Sequence, residues 1–580
     1  MIYTLRRILH RRLLSRTFPI SVSKMAKSKF EYVKSFETED KLDPRHWIVV
    51  ALQCQNYDRL SEEHGFEHPN DLRFIHLMEA SAKSVMEDFK ELVLGYGFAG
   101  EFSFVFPKNT TLYKRRGPKL LTNLCSLMAS SLVHKWTNYL GSVSLRFSPV
   151  IEGTIHLLPD DQVLRDYMTQ RQLACHYNNL YNTVFWALVL KVGLSPEDAT
   201  NTLKGTNEGE QNEILFSKCK MNYNNENDVF KKGSIVLRTW KQTPVTAPDG
   251  LVNIRNQSCI VNTYTDFSKD NFWKEIFILE QPTKTNAKTN YLKAFEKKEK
   301  LLPHTWIVVR IDGKGFHKFS ERHNFVKPND NRSIELMNRA ALEIMQQFPD
   351  VILSYGQSDE YSFVIDRYSK MMERNGNKIM SSIVSLFAAM YVYNWHSVFG
   401  NVILEYSPAF DARVVLYPNN SCLRDYLSWR QADCHINNMY NTCFWMLVQN
   451  GKYSRQEAEE RLRGTFSKDK RAILLDEFKQ EYDLEDSLYR KGTIMFRQEF
   501  ARDTTSDHLA TNNTRHTSAD GNMRISSQAS SDEVERVNSI SDIGSVSRDH
   551  IDIIGDQFWT ERPWILGTER CTKTVDDLDN

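Results

Sequence analysis

Asp312 and Asp359 are the residues of this sequence best suited to chemistry. Asp312 closes the run Ile307-Val308-Val309-Arg310-Ile311-Asp312-Gly313, which reads as a strand entering a loop at 314–318. Asp359 lies in Gly356-Gln357-Ser358-Asp359-Glu360, the turn between strands expected at 352–355 and 361–365. Helical sequence over about 331–348 separates the first strand from that hairpin. If the strands pair as neighbours, the two carboxylates meet at one edge of a sheet beside a flexible glycine. Such a pair suits Mg²⁺ and a triphosphate, because Mg²⁺ takes oxygen ligands, often one or two carboxylates plus substrate phosphates. Two such ions can activate an attacking oxygen and stabilise a leaving one. On spacing alone, turn aspartates that only bond the local backbone are an equally good reading.

The elements that must hold these residues occur twice. Trp47-Ile48-Val49-Val50 returns as Trp306-Ile307-Val308-Val309, Pro69-Asn70-Asp71 as Pro328-Asn329-Asp330, and Lys232-Gly233-Ser234 as Lys491-Gly492-Thr493, always 259 positions later. A period this long signals duplicated domains rather than a solenoid, whose repeats run about 20–50 residues. After the hairpin, copy two continues with a helical segment over about 378–399. Ile379, Ile383, Leu386, Phe387 and Met390 mark its apolar face. A strand near 411–417, helices over 423–450 and 455–463, and an aromatic tail complete it. Ser454 and Glu457 carry the spacing of a helix cap. The order of elements predicts an α+β fold, an antiparallel sheet with helices packed on one side.

Length and composition bound the rest. At 580 residues the chain exceeds one ordinary domain. Forty-one per cent apolar and 25% charged residues are globular values, and a net charge of +1 leaves nucleic-acid binding to local patches. Nine cysteines, with no C-x-x-C pair, read as reduced thiols rather than a disulfide framework or a zinc site. No apolar run reaches the ~18 residues of a membrane span. The division expected is a basic extension or transit peptide at 1–25, domain one at 26–275, a linker at 276–287, and domain two at 288–500. A disordered insert at 501–548 and the tail of domain two at 549–580 follow. The extension holds Arg6, Arg7, Arg11 and Arg12 and no acid, while the insert is too polar to offset ordering entropy.

Long motifs of copy two resemble the tRNA(His) guanylyltransferase family. They are Arg310-Ile311-Asp312-Gly313, His323-Asn324-Phe325 with Lys327-Pro328-Asn329-Asp330, and Tyr355-Gly356-Gln357-Ser358-Asp359-Glu360-Tyr361-Ser362-Phe363. Trp429-Arg430-Gln431-Ala432-Asp433-Cys434-His435-Ile436-Asn437-Asn438 and Arg490-Lys491-Gly492-Thr493 belong with them. The match spans 288–500 and the tail, and 25–240 more loosely; the tandem arrangement resembles plant members. The resemblance implies two tandem palm-like domains of the polymerase and cyclase type. It implies addition of one guanylate to the 5′ end of tRNA(His), with two Mg²⁺ per active site and ATP and GTP as substrates. ATP would activate the tRNA 5′-phosphate, the GTP 3′-hydroxyl would displace AMP, and pyrophosphate would be removed. A homo-oligomer, dimer or tetramer, is implied. Residence in nucleus or cytoplasm is expected, or in mitochondria if the basic extension is a targeting peptide.

By that resemblance Asp312, Asp359 and the Gly313 carbonyl are metal ligands, and Glu360 is a third catalytic carboxylate. Asp312, Gly313, Lys314, Gly315, Phe316, His317, Ser358 and Asp359 would line GTP. Lys327, Arg430, His435, Asn437, Asn438 and Lys491 are expected at phosphate or tRNA; by residue type alone the lysines read as solvated and 429–442 as a capped helix. Copy one departs at the site: Asp312 becomes Gln53, Gly313 becomes Cys54, His317 becomes Asp58, Lys327 becomes His68, Ser358 becomes Ala99 and Asp359 becomes Gly100. It is expected to have lost chemistry and to keep RNA-binding or assembly surface in Arg171, His176, Asn178, Asn179, Asn182 and Lys232, and at Lys114-Arg115-Arg116 with Lys119. A template-dependent 3′–5′ tRNA repair polymerase and a non-catalytic tRNA-binding scaffold are the alternatives, with a nucleotide cyclase more distant.

Overall fold

The computed structural model describes residues 29–38, 40–246, 252–269, 272–274, 290–498 and 545–567. The basic extension at 1–25, the linker at 276–287 and most of the insert at 501–548 lie outside the described residues. The end of that insert is described and is a strand, contrary to expectation. Val546–Asp549 pairs antiparallel with Thr493–Arg497, so Ser547 and Arg548 lie in a sheet.

Each copy builds a six-stranded antiparallel sheet of the same order. In copy one β1 (Trp47–Cys54) is followed by α1 (Tyr57–Glu63) and α2 (Leu72–Asp88). The hairpin β2 (Leu94–Phe98) and β3 (Glu101–Phe106), α3 (Gly117–Leu140), β4 (Ile151–Leu158) and α4 (Asp161–Ala187) come next, then β5 (Ser234–Thr246) and β6 (Val252–Thr263). Copy two repeats this with β7 (Trp306–Gly313), α5 (Phe316–Arg322), α6 (Asn331–Gln347), β8 (Val351–Gln357) and β9 (Glu360–Ile365). It continues with α7 (Gly376–Tyr393), β10 (Phe410–Tyr417), α8 (Asn420–Gln449), α9 (Arg455–Leu462), β11 (Thr493–Arg497) and β12 (Val546–Asp549). The strand orders are β4-β1-β3-β2-β5-β6 and β10-β7-β9-β8-β11-β12. The first four strands with their helices form the βαββαβ ferredoxin-like unit, the core of a palm-like domain.

Three local expectations are refined. The segment at 314–318 is a loop only as far as Gly315, which caps α5 with φ +66°; glycine adopts that left-handed conformation without a Cβ clash. The long helix at 378–399 divides at Asn394, whose side-chain amide donates to the Met390 carbonyl. Helices cover both sheet faces, not one. Ile307, Val309 and Ile311 face one core, while Trp306 and Val308 face a second, beneath α8 and the tail at Ile553, Phe558 and Trp559. Burial on both faces is why β1 and β7 read as unbroken apolar runs rather than alternating ones. Ser454 and Glu457 form the expected capping box of α9.

The two copies share one core. α3 and α7 are apolar nearly all round because each lies between both copies. β4 and β10 are edge strands, and each would present unpaired backbone amides to its surroundings. The opposite copy supplies the partners. The Phe410 amide donates to Ser126 Oγ and the Ala412 amide to Thr122 Oγ1, both at 2.9 Å. Reciprocally, the amides of Ile151 and Gly153 donate to Ser385 Oγ and Ser381 Oγ at 2.9 Å. The short leaders are exchanged as well, which a division at 26–275 and 288–500 does not convey. Val33 of Glu31–Phe36 is buried against Trp306 and Tyr426 of copy two, and Leu292 of Asn290–Phe295 against Trp47 and Leu164 of copy one.

Truncating Ser126 to Ala removes the acceptor of the buried Phe410 amide. Ser126→Ala is expected to lower unfolding stability by about 1–3 kcal/mol, and Ser385→Ala to cost a similar amount, both read by urea denaturation. Loss from neither variant would contradict the shared edge.

Candidate active site

The end of β7 brings the sequence-derived carboxylates together. Asp312 is in register with Glu360 of β9 on one side and Asp411 of β10 on the other. The hairpin turn before Glu360 folds back onto the strand end, because the Gly313 amide donates to the Asp359 carbonyl at 3.0 Å. Ser358 takes the left-handed conformation, φ +50°, that reverses the chain there. Gly313 is required by packing: a Cβ would come within 2.3 Å of the Phe316 ring. The strand is pinned on its other side by the Lys314 amide, which donates to the Ala409 carbonyl at 2.9 Å.

Crowding of like charges sets the electrostatics. Asp312 opens to solvent on one side but is walled by protein elsewhere. That burial, with the charges of Asp359, Asp411 and Glu360, pushes its carboxyl up to about 7 against the opposing pull of Arg310. Burial raises Asp359 to about 6, with Ser358 and the more distant Lys327 opposing the shift. Carboxyls raised in this way mark a place where positive charge is in deficit. The donors are hard oxygens, the Asp312 and Asp359 carboxylates and the Gly313 carbonyl, and these suit Mg²⁺. Among the described residues no three His, Cys, Asp or Glu side chains converge as a ready-made metal cluster. A cation held there would have two carboxylate side chains, with a backbone oxygen as the third protein ligand, and would keep water or phosphate for the rest.

Several expected contacts turn out otherwise. Phe316 is buried and packs on Phe319 and Phe410, with ring centroids 5.0 and 4.9 Å away, so only its backbone can face a phosphate. His317 is exposed on α5, 3.6 Å from Glu321. Glu360 is not a free third carboxylate. The guanidinium of Arg430 holds it, with Nε 2.8 Å from its Oε1. Arg430 also binds Asp433 at 2.6 Å, stacks over Trp429 and is buried. An arginine so enclosed orients Glu360 instead of facing tRNA. Copy one keeps the same pair, Arg171 with Glu101, although its site has lost both aspartates. A pair present whether or not the aspartates are there orients the hairpin, although Arg171 stays partly exposed where Arg430 is buried.

Asn438 is also buried; it donates to the Tyr482 hydroxyl and accepts from Asn329, tying α8 to the Pro-Asn-Asp turn. Asn179 repeats this with Tyr223 and Asn70. Asn437 remains exposed and donates to Asp433, while the half-buried His435 ring lies against Tyr482. Lys327 donates to Ser320 Oγ at 2.9 Å, and Lys491 forms no ion pair among the described residues. Of the basic run in copy one, Arg115 is buried on the backbone carbonyls of Asp43, His46 and Lys108.

Two residues, Asp411 and Glu37, escaped the sequence reading because their relation to the site is purely spatial, and Lys119, expected on an RNA-binding or assembly surface, serves the contact between copies. Asp411 flanks Asp312 across the strand pair, and Lys119 of copy one reaches it at 2.7 Å. Glu37, from the exchanged leader, bridges Arg310 and Arg413 at 3.2 and 2.6 Å. The repeat carried one usable signal for the first pair: its mirror, Lys378 with Glu152, is retained at 2.7 Å.

Known proteins resemble this chain in sequence. The family model described as tRNAHis guanylyltransferase matches residues 30–159 and again 289–418, and that of the Thg1 C terminal domain matches 162–306 and 421–555. The tRNA(His) guanylyltransferase 2 of Arabidopsis thaliana is 35% identical over 563 residues, covering 93% of this chain and 99% of that protein. The tRNA(His) guanylyltransferase 1 of the same plant is 37% identical over 487 residues, covering 82% and 84%. The crystal structure of the Saccharomyces cerevisiae tRNA(His) guanylyltransferase, 41% identical, covers 36% of this chain and 92% of its own at a TM-score of 0.35. The chain therefore belongs to the tRNA(His) guanylyltransferase family, with both family domains present twice.

Proposed function

We propose that this nucleotidyltransferase adds a guanylate to the 5′ end of tRNA(His), and that the reaction takes place in copy two alone. The observation that carries the location is the crowding of the Asp312 and Asp359 carboxylates at one strand end, where copy one has Gln53 and Gly100. Bound there, Mg²⁺ would neutralise phosphate charge and favour attack by a hydroxyl oxygen.

The residues of the chain do the rest by positioning. Asp312 and Asp359 present ionised oxygens on one side of the nucleotide, and the 313–317 backbone approaches its phosphates. Ser358, exposed in the turn, is a hydroxyl donor to the same phosphates or ribose. Lys327 stands near Asp359 as a point charge for phosphate. Arg430 fixes Glu360 so that the hairpin keeps its register. In the proposed course ATP adenylates the tRNA 5′-phosphate, releasing pyrophosphate. The 3′-hydroxyl of GTP then displaces AMP, and the added nucleotide loses pyrophosphate. Both transfers develop negative charge that a cation held by Asp312 and Asp359 would neutralise, so one site can serve both.

Transfer of labelled GTP to 5′-monophosphorylated tRNA(His) lacking the extra guanylate tests this reading. Asp312→Ala and Asp359→Ala are each expected to reduce labelling by roughly a hundredfold or more. Activity that survives both would move the chemistry out of copy two. Thermal unfolding supplies a second check. Because the Asp312 carboxyl is raised from 3.8 to about 7 in the fold, the folded state holds a proton that the unfolded state releases. This contribution is fully present below about pH 4 and is lost as pH rises through 7. Mg²⁺ needs the ionised carboxylates, so it is expected to raise Tm more at about pH 8 than at about pH 5.5. Asp312→Asn is expected to shrink that difference to the part carried by Asp359.

A further inference from the structure

Lys314 opens the loop that would receive the triphosphate, yet its side chain is held by the other copy. Its ammonium pairs with Asp88 of copy one and lies 3.9 Å from the centroid of the Phe89 ring. The contact runs one way. At the mirror position the uncharged Gln55 replaces Lys314; it donates to Glu152 of its own copy at 2.7 Å and to Ser382 Oγ of copy two at 3.4 Å. Gln347 replaces Asp88 and turns to Glu343 of its own helix. The charged pair itself is thus not mirrored, although Phe348 keeps the place of Phe89.

Asp88 is the last residue of α2. A negative charge at a helix C-terminus opposes the macrodipole, so the helix gains nothing from an acid there. The carboxylate therefore owes its favourable interaction to Lys314. That interaction is weak by construction. The Lys314 and Asp88 side chains are 26% and 45% exposed, and a partly solvated pair of this kind is readily exchanged for a stronger partner. The backbone of the same residue is not exchangeable, because the Lys314 amide is bonded to Ala409 and Gly313 to Asp359. The lysine thus has a fixed root at the phosphate loop and a four-carbon stem free to swing.

We propose that Lys314 alternates between Asp88 of copy one when the site is empty and the phosphates of a nucleoside triphosphate or of pyrophosphate when it is filled. This rests on the placement of the triphosphate at Asp312 and Asp359. Asp88 is then a positioning residue acting through Lys314. It competes with bound phosphate, restrains affinity and recaptures the lysine when pyrophosphate leaves. The catalytically disabled copy would in this way set the nucleotide affinity of the working one.

The test is equilibrium dialysis of full-length protein with labelled GTP and Mg²⁺ in the absence of tRNA, followed by pyrophosphate inhibition of transfer. Asp88→Asn is expected to tighten both GTP and pyrophosphate about threefold to tenfold. Asp88→Glu is expected to restore wild-type affinity. Lys314→Met is expected to weaken binding and to cancel the effect of Asp88→Asn in the double variant. Unchanged or weaker binding by Asp88→Asn overturns the proposal, as does tightening that persists without Lys314. Wild-type protein that binds no GTP overturns the site reading on which it rests.

Discussion

Edge-strand amides with no partner of their own kind organise this molecule. β4 and β10 end their sheets, and a buried amide left unbonded costs more than an ordinary hydrogen bond contributes. Each copy satisfies the other's edge with hydroxyls spaced one helical turn apart, Thr122 and Ser126 on α3 and Ser381 and Ser385 on α7. Because these bonds are local and directional, they fix where each helix lies against the opposite sheet. The shared apolar core adds bulk but little register. β10 in turn carries Asp411 beside Asp312, so the candidate site is assembled on a strand whose outer edge copy one holds.

This dependence gives the degenerate copy a physical reason to persist. Without copy one, β10 would expose its amides, α7 would expose apolar surface, and Asp411, Lys314, Arg310 and Arg413 would lose Lys119, Asp88 and Glu37. The reverse contacts are poorer in charge. Ala51 and Thr154 stand where Arg310 and Arg413 do, and Gln55 where Lys314 does. Retained pairs fall into two kinds. Lys119–Asp411 and Lys378–Glu152 recur because both copies need the interface. Arg430–Glu360 and Arg171–Glu101 recur because both hairpins need an orienting cation. What did not recur is the pair of aspartates.

Much of this was open to reading from the chain alone. Unbroken Ile-Val-Val runs, the glycine-flanked aspartates, the Ser454–Glu457 cap and a constant period define strands, turns and duplication through local physics. Residue types at each strand end differ in charge: Asp312 and Asp359 offer two carboxylates, where Gln53 offers a neutral amide and Gly100 no side chain. Those statements depend on side-chain chemistry and short-range backbone preference, both of which are written in sequence.

Burial and partnership across long separations are not. Arg430, Asn438 and Phe316 have the composition of ligand-binding residues, but packing encloses them, Arg430 and Asn438 on α8 and Phe316 among Phe319, Tyr391 and Phe410, and only packing decides whether an arginine meets a phosphate or a neighbouring glutamate. The hydroxyls of α3 look like ordinary polar interruptions of an apolar helix until β10 lies against them. The pairing of Lys314 with Asp88 joins residues from different copies, a relation that no periodicity encodes. The sequence by itself determined the duplicated α+β plan and the chemistry available at Asp312 and Asp359. The tertiary structure alone decided which polar groups are consumed as internal partners, because hydrogen bonds and ion pairs are settled by proximity and desolvation, neither of which exists until each copy folds and the two pack together.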